Sequence, residues 1–203
     1  MDEMVYAVTM SAVAVSAITG VLEAGRKPID LFGVVLVALT SALGGGSIRD
    51  LLLARPVFWI ADQTYLVAAI AAGVATFVLV RLARLPANLF LVPDALGLAL
   101  FTVMGAQAAM VYGAPWFVAS FLGVVTGVFG GVLRDILCNE VPLVFAGELY
   151  ATASWAGALV FIGLLHADVA GSLAALLAMA AIFLLRIVAI HWHLTLPSFT
   201  AKA

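Results

Sequence analysis

The sequence predicts an all-α membrane protein, with seven transmembrane helices arranged as two inverted three-helix repeats followed by a seventh helix. Two observations carry this prediction: long apolar stretches, and a charged motif that occurs twice inside them. Of the 203 residues, 66% are hydrophobic and 10% are charged, and the mean hydropathy is +1.23. A soluble domain is about 45–50% apolar and about 25% charged, so the excess apolar surface must face lipid.

The duplicated motif is Gly-Gly-x-x-Arg-Asp, at residues 45–50 and again at 130–135. Its two arginines, Arg49 and Arg134, are therefore 85 residues apart (134 − 49). Both copies lie in apolar stretches, where a charged side chain costs about 2.5–3.5 kcal/mol at the membrane centre. A costly feature that is present twice indicates a transport pathway built from two related halves.

Seven stretches are long enough to span a bilayer, because a spanning helix needs about 20 mostly apolar residues. Charged residues, prolines and glycines separate them; Arg84 and Pro86, for example, follow the third. The predicted spans are residues 5–23, 31–53, 62–82, 93–112, 116–138, 148–166 and 169–189. The chain is thus predicted to be one membrane domain, with repeat one at 5–82, repeat two at 93–166 and the seventh helix at 169–189.

The lysine and arginine distribution predicts the orientation. With the amino terminus outside, six basic residues fall in cytoplasmic segments and one, Arg55, falls in an external loop, as the positive-inside rule requires. The carboxyl terminus is then cytoplasmic. Because each repeat has three spans, the second enters the membrane in the opposite sense, which predicts a pseudo-two-fold axis in the membrane plane. The six cytoplasmic residues are Arg26, Lys27, Arg81, Arg84, Arg186 and Lys202.

Glycines precede each Arg-Asp pair and have two interpretations. Small residues let helices pack closely in membranes. Alternatively, glycines kink or break a helix and expose its backbone to a water-filled cavity. Three consecutive glycines in the first copy, echoed in the second and followed each time by Arg-Asp, favour the kink. The glycines concerned are Gly44, Gly45, Gly46, Gly127, Gly130 and Gly131.

The charged residues of the motif are predicted to need partners from other helices. Neighbouring side chains point about 100° apart on a helix, so Arg and Asp of one motif should not pair well. The expected partner is Asp62 for Arg49, and Asp94 or Glu148 for Arg134. Snorkelling of both arginines to the headgroups is the alternative, but it leaves the paired aspartates unexplained. The predicted ion-path or gating charges are Arg49, Asp50, Asp94, Arg134, Asp135 and Glu148.

The tandem motif in the second and fifth of seven helices resembles the trimeric intracellular cation channel (TRIC) family, in its prokaryotic branch. The segments 94–98 and 148–151 also resemble this family, and the resemblance covers about residues 5–195. It implies a homotrimer with one pore in each protomer, lined by glycine-kinked second and fifth helices and permeable to monovalent cations, K⁺ foremost. The second copy has Phe129 before its glycine pair, which would act as a hydrophobic constriction.

In such a pore, carbonyls freed by the glycines would serve as cation ligands, and Asp50 and Asp135 would set a negative potential. Arg49 and Arg134 would partly neutralise these carboxylates or latch a closed state. The expected partners are a second and third copy of the chain, membrane lipid and monovalent cations. No cofactor, metal site or nucleic-acid partner is expected, and the predicted location is the prokaryotic inner membrane.

Three other classes of protein remain open. A small secondary transporter shares inverted repeats and broken helices, and only saturable, coupled flux would distinguish it from a channel. A membrane-embedded enzyme lacks support, because no His/Asp/Glu cluster has acid–base or metal-ligand spacing. A purely structural membrane protein would not account for charges that recur at equivalent depth.

Overall fold

The computed structural model describes residues 3–82, 89–146 and 148–197. Within these ranges the protein is all helical, apart from one isolated bridge between Glu148 and Thr195. The sequence-based assignments that rest on Arg84, Pro86 and Lys202 lie outside the described residues. The described helices are α1 (Glu3–Ala24), α2 (Leu31–Leu52), α3 (Phe58–Ala61), α4 (Thr64–Leu82), α5 (Leu91–Val111), α6 (Trp116–Leu137), a 3₁₀ turn (Leu143–Phe145), α7 (Ala151–His166) and α8 (Gly171–Trp192).

The helix boundaries repeat along the chain at the spacing of the motif. Helix α6 has the same 22-residue length as α2 and begins and ends 85 residues later. The short α3 corresponds in the same way to the 3₁₀ turn at Leu143–Phe145. Two residues at equivalent positions after the motif helices, Ala54 and Asn139, have left-handed backbones with φ of 50° and 53°. Both halves therefore build the same local unit around the motif.

Six of the described helices are long and apolar enough to cross a membrane, judged by length and composition. Helix α7 is apolar but has only 16 residues, about 24 Å of helix against a hydrocarbon core of about 30 Å. It begins at Ala151 instead of the predicted residue 148, because Glu148 and Leu149 pair with the segment after α8. The Leu149 N–H donates to the Leu194 carbonyl at 3.3 Å. The predicted seventh span stays a prediction.

Local sequence explains where the motif helices start and stop. Asp30 precedes α2, and its carboxylate accepts a hydrogen bond from the Gly33 N–H at 2.8 Å, which satisfies one of the free donors at the helix start. Helix α6 follows Gly113 and Pro115, and Gly113 has a φ of +91° that other residues adopt at a cost. Pro115 then has no N–H to leave unpaired at the start of α6.

The core has one apolar cluster for each half of the chain. The first joins α1, α2 and α4, and the second joins α5, α6, α7 and α8. Helix α5 packs against α1, α6, α7 and α8, so it is the central helix of the bundle and two thirds of its apolar window is buried. Helices α2 and α6 pack directly on each other and connect the halves. Helix α8 packs only on the second half's α5 and α7 in these contacts, which makes the two halves unequal.

Candidate functional site: two buried arginine–aspartate clusters

The motif glycines lie where α2 and α6 cross. A Cβ added to Gly45 would meet the backbone carbonyl of Thr126, and one added to Gly130 would meet the carbonyl of Ser41. A backbone neighbour cannot move aside as a side chain can, so only glycine permits this approach. Close helix packing, the interpretation that the sequence analysis set aside, is what the structure shows at these two positions.

Both motif helices are uninterrupted α-helix through their glycines. No break frees a backbone carbonyl there, because intrahelical hydrogen bonding continues to Leu52 in α2 and to Leu137 in α6. The repeated glycines reflect the helix crossing, which a sequence cannot distinguish from a break. A bend at these positions stays a prediction.

The remaining glycines of the set each face a different neighbour. Gly44 faces Leu133, and Gly127 faces Thr102 and Leu98. Gly46 faces the ring of Phe58, and the equivalent Gly131 faces the Tyr150 hydroxyl, 3.1 Å from its added Cβ. Phe129 is 39% exposed on the surface of the protomer, so it does not pack into the core of the described structure.

Arg and Asp of each motif do pair, contrary to the expectation from helix geometry. The Arg49 Nε donates to the Asp50 carboxylate at 2.8 Å, and the Arg134 Nε donates to Asp135 at 2.8 Å. The prediction failed because it treated the side-chain directions as fixed at 100°. The long arginine side chain bends back, and its Nε reaches the neighbouring carboxylate near the end of the helix.

The second oxygen of each motif aspartate fixes the turn that follows the helix. Asp50 Oδ2 accepts the N–H of Phe58 at 2.9 Å, and Asp135 Oδ2 accepts the N–H of Leu143 at 3.1 Å. The two acceptors and the two donors are each 85 residues apart. Each aspartate therefore ties the end of its helix to the start of the next short turn, which explains why Asp follows Arg in both copies.

The second cluster, defined as Arg134, Asp135 and Asp94, is almost sealed from solvent. Of the two acids proposed for Arg134, Asp94 makes the contact, at 2.6 Å from Nη1. The Arg134 side chain is 1% exposed, and the Phe90 ring lies 5.4 Å below its guanidinium. One cation thus serves two carboxylates on α5 and α6. Snorkelling is wrong for Arg134, whose charged end is buried among these groups.

Glu148 pairs with a residue that the sequence analysis assigned to the cytoplasmic segments. Arg186 of α8 is fully buried, and its Nη2 lies 2.7 Å from Glu148 Oε2. Its guanidinium also lies 4.9 Å from the centre of the Tyr150 ring. The signal was present in the sequence, because Arg186 lies inside the predicted span 169–189, where a charge needs a partner.

The first cluster is defined as Arg49, Asp50 and Arg55. Asp50 is fully buried and lies 2.8 Å from the Arg49 Nε and 3.4 Å from the Arg55 Nε. The Phe58 ring covers Arg49 at 5.8 Å. The expected partner Asp62 instead accepts hydrogen bonds from Thr64, so the structure gives it no ion pair with Arg49. Here two cations share one carboxylate.

A salt bridge joins the loop after α1 to the loop after α6. Lys27 Nζ lies 2.7 Å from Glu140 Oε1. The hydrogen bond from Lys27 and its positive charge lower the pKa of Glu140 below its usual value. This contact places the start of α2 beside the end of α6, so the two crossing helices are antiparallel and the two clusters lie at opposite ends of them. In the described ranges, no group of three His, Cys, Asp or Glu side chains is arranged to hold a metal ion.

Apolar helices of spanning length, with buried charged clusters at both ends of an antiparallel helix pair, define an integral membrane protein with a duplicated helical unit. A family model described as glycine transporter matches residues 6–81 and again 91–166. The two matched ranges are themselves 85 residues apart. The chain belongs to the trimeric intracellular cation channel family, in its prokaryotic branch.

Similar proteins span almost the whole chain. The inner membrane protein YadS of Escherichia coli is 42% identical over 97% of this chain and 96% of its own length. The trimeric intracellular cation channel orthologue from Rhodobacter sphaeroides is 37% identical with a TM-score of 0.90, covering 94% of this chain and 99% of that one. A prokaryotic TRIC channel crystallised in 0.5 M KCl is 29% identical with a TM-score of 0.86, covering 97% and 100%. The structural neighbours are thus cation channels.

Proposed function

We propose that the protein is a K⁺-permeable monovalent cation channel of the inner membrane, a homotrimer with one pore in each protomer. The observation that carries this proposal is the similarity to the Rhodobacter sphaeroides cation channel orthologue over nearly the full length of both chains. The buried, paired charges agree with it, because intramembrane ionisable groups usually mark a transport path. No cofactor is proposed; the permeant cation is the only ligand required.

The inverted repeat is part of the proposal, and the α2–α6 crossing supports it. Gly45 packs on Thr126, and Gly130 packs on Ser41. Moving 85 residues along the chain converts Gly45 to Gly130 and Ser41 to Thr126, so each contact is the copy of the other. Contacts that exchange in this way are those of a two-fold axis. Because the helices are antiparallel, that axis is perpendicular to them and would lie in the membrane plane.

In the proposed topology α7 also crosses, giving seven spans with the amino terminus outside and the carboxyl terminus in the cytoplasm. Contacts at the ends of the helices agree with it. Lys27 and Glu140 belong to loops that this topology places in the cytoplasm, and they touch. Arg55 and Tyr112 belong to segments that it places outside, and the Arg55 guanidinium lies 5.9 Å from the Tyr112 ring.

The clusters would act on the ion path through their net charge. The second cluster has two carboxylates and one guanidinium, so it attracts cations at the cytoplasmic end. Asp94, Arg134 and Asp135 are held to one another, which leaves a field without a free carboxylate that would bind a cation tightly. A permeating ion must leave as readily as it enters.

A second candidate function is transport of a small amino acid, which the description of the matching family model favours. Inverted repeats around a central site are common in secondary transporters. The two candidates differ in kinetics, because a transporter saturates and needs its substrate, whereas a channel passes ions in discrete current steps.

Recording from purified protein in a planar bilayer with asymmetric KCl separates the two. We expect discrete current steps whose reversal potential lies near the K⁺ equilibrium potential, in the absence of any amino acid. Heat-denatured protein in the same lipid is the control. Absence of steps, together with saturable uptake of glycine by liposomes containing the protein, would instead establish the transporter.

A further inference from the structure

The two clusters have opposite imbalances of charge. In the second, the Arg134 guanidinium has two carboxylate partners, Asp94 and Asp135. In the first, Arg49 and Arg55 share the single carboxylate of Asp50. The second cluster therefore has a net charge of −1 and the first a net charge of +1.

The missing charge can be traced to one position. Asp94 lies on α5, and the residue 85 positions earlier on α1 is Thr9. The Thr9 hydroxyl is used locally, donating to the Val5 carbonyl at 2.7 Å. The first half therefore has no carboxylate at the register position from which Asp94 binds Arg134.

The Arg49 guanidinium is consequently left half-used. Its Nε binds Asp50, but its two terminal nitrogens make no hydrogen bond or ion pair with any residue in the ranges 3–82, 89–146 and 148–197. The side chain is nevertheless 92% buried, with 8% exposed. The Phe58 ring covers a face of the guanidinium and not its hydrogen-bonding edge. A buried guanidinium with unused donors is costly unless an anion completes it.

The geometry points to a binding site for a small carboxylate at this free edge of Arg49. The chain itself shows the ligand chemistry, because in the second half an aspartate carboxylate binds the equivalent arginine at 2.6 Å. A carboxylate matches the planar fork of a guanidinium better than a spherical anion does. Arg55 adds a second positive charge beside Asp50 and raises the local potential for an anion.

The bound carboxylate has a consequence that rests on the proposed channel function. An empty first cluster is positive and opposes cations at that end of the path. A monovalent carboxylate would neutralise this charge and make the two ends of the path alike. The binding itself does not depend on conduction and is tested without it.

Thermal unfolding of the purified protein, followed by intrinsic tryptophan fluorescence, tests the site with sodium acetate as the probe. We expect acetate to raise the unfolding midpoint saturably relative to sodium chloride of equal ionic strength, as ligands of the native state do. Acetamide, which has the same shape and no charge, should give no shift. Because salts also differ in general effects on stability, the variants below decide the location.

Thr9→Asp places the missing carboxylate in the chain itself. We expect this variant to lose the acetate-specific shift, and Thr9→Asn, of nearly the same size, to keep it. Arg49→Gln should lose the shift, and Arg81→Gln, which alters an arginine stacked on Phe77 at 4.9 Å, should keep it. Since Arg49→Gln can fail to fold, the Thr9 pair is sufficient.

Three results would overturn the site. Equal shifts from chloride and acetate would mean that no carboxylate is recognised. A full acetate shift in Thr9→Asp would place binding elsewhere, and no shift up to 100-fold more acetate than protein-saturating trial concentrations of chloride would remove the site altogether. Any of these can occur while the bilayer recordings still show a cation channel, so the two proposals fail separately.

Discussion

Arg134→Gln is expected to destabilise the protein by about 3–5 kcal/mol, since it leaves two buried carboxylates, Asp94 and Asp135, without their cation. The loss should appear as a lower unfolding midpoint in detergent and a smaller folded fraction after purification. Arg81→Gln is the matched control. Arg81 is exposed at the end of α4, and its substitution should change stability by no more than about 0.5 kcal/mol.

A double-mutant cycle identifies the partner. Asp94→Asn should cost less in the Arg134→Gln background than alone, with a coupling of about 0.5–3 kcal/mol. Glu148→Gln should add to Arg134→Gln within about 0.3–0.5 kcal/mol, because Glu148 pairs with Arg186 instead. Additivity of Asp94→Asn would show that the 2.6 Å contact contributes nothing, and coupling of Glu148→Gln would transfer the role to Glu148.

Gly130→Val is expected to prevent close association of α2 and α6. Its Cβ would overlap the Ser41 carbonyl, and the backbone of α2 cannot yield without separating the helices. Overpacking of a side-chain core costs about 1–3 kcal/mol, and a clash with backbone should exceed that range. Size-exclusion chromatography and the unfolding midpoint would report the loss of folded protein.

Gly163→Val is the control for that substitution. A Cβ at Gly163, on α7, meets nothing within 4 Å, while its effect on helix propensity is the same as at Gly130. Gly45→Val should resemble Gly130→Val, since Gly45 faces the Thr126 carbonyl. If Gly163→Val and Gly130→Val destabilise equally, the glycines are not needed for the crossing.

Much of the fold was predictable because membrane helices depend on apolar length and punctuation. Predicted spans such as 31–53 and 116–138 end within one residue of α2 and α6. The start of α7 was not predictable, since it depends on a pairing between Glu148 and Thr195, which are far apart in the sequence. Local pattern holds no information about such long-range pairing.

The charged residues of the site were predictable, but their pairing was predictable only in part. Depth arguments limited Arg134 to acids that start helices at the same face, and Asp94 is one of these. The Arg–Asp pair within each motif was missed because it depends on a side-chain rotamer, and Arg186 was missed because it was counted with a loop. The glycines were detected from their repetition, but whether they pack or kink depends on the neighbouring helix.

The inverted repeat is the central claim, and sided cysteine labelling tests it most directly. Pro56 and Val141 are exposed and 85 residues apart, each two residues beyond the left-handed turn that follows its motif helix. Pro56→Cys and Val141→Cys, each in a Cys138→Ala background, would be treated in intact cells and in inverted vesicles with a membrane-impermeant maleimide. The account predicts that position 56 reacts only from outside and position 141 only from the cytoplasmic side. Reaction of both positions from the same side would contradict it.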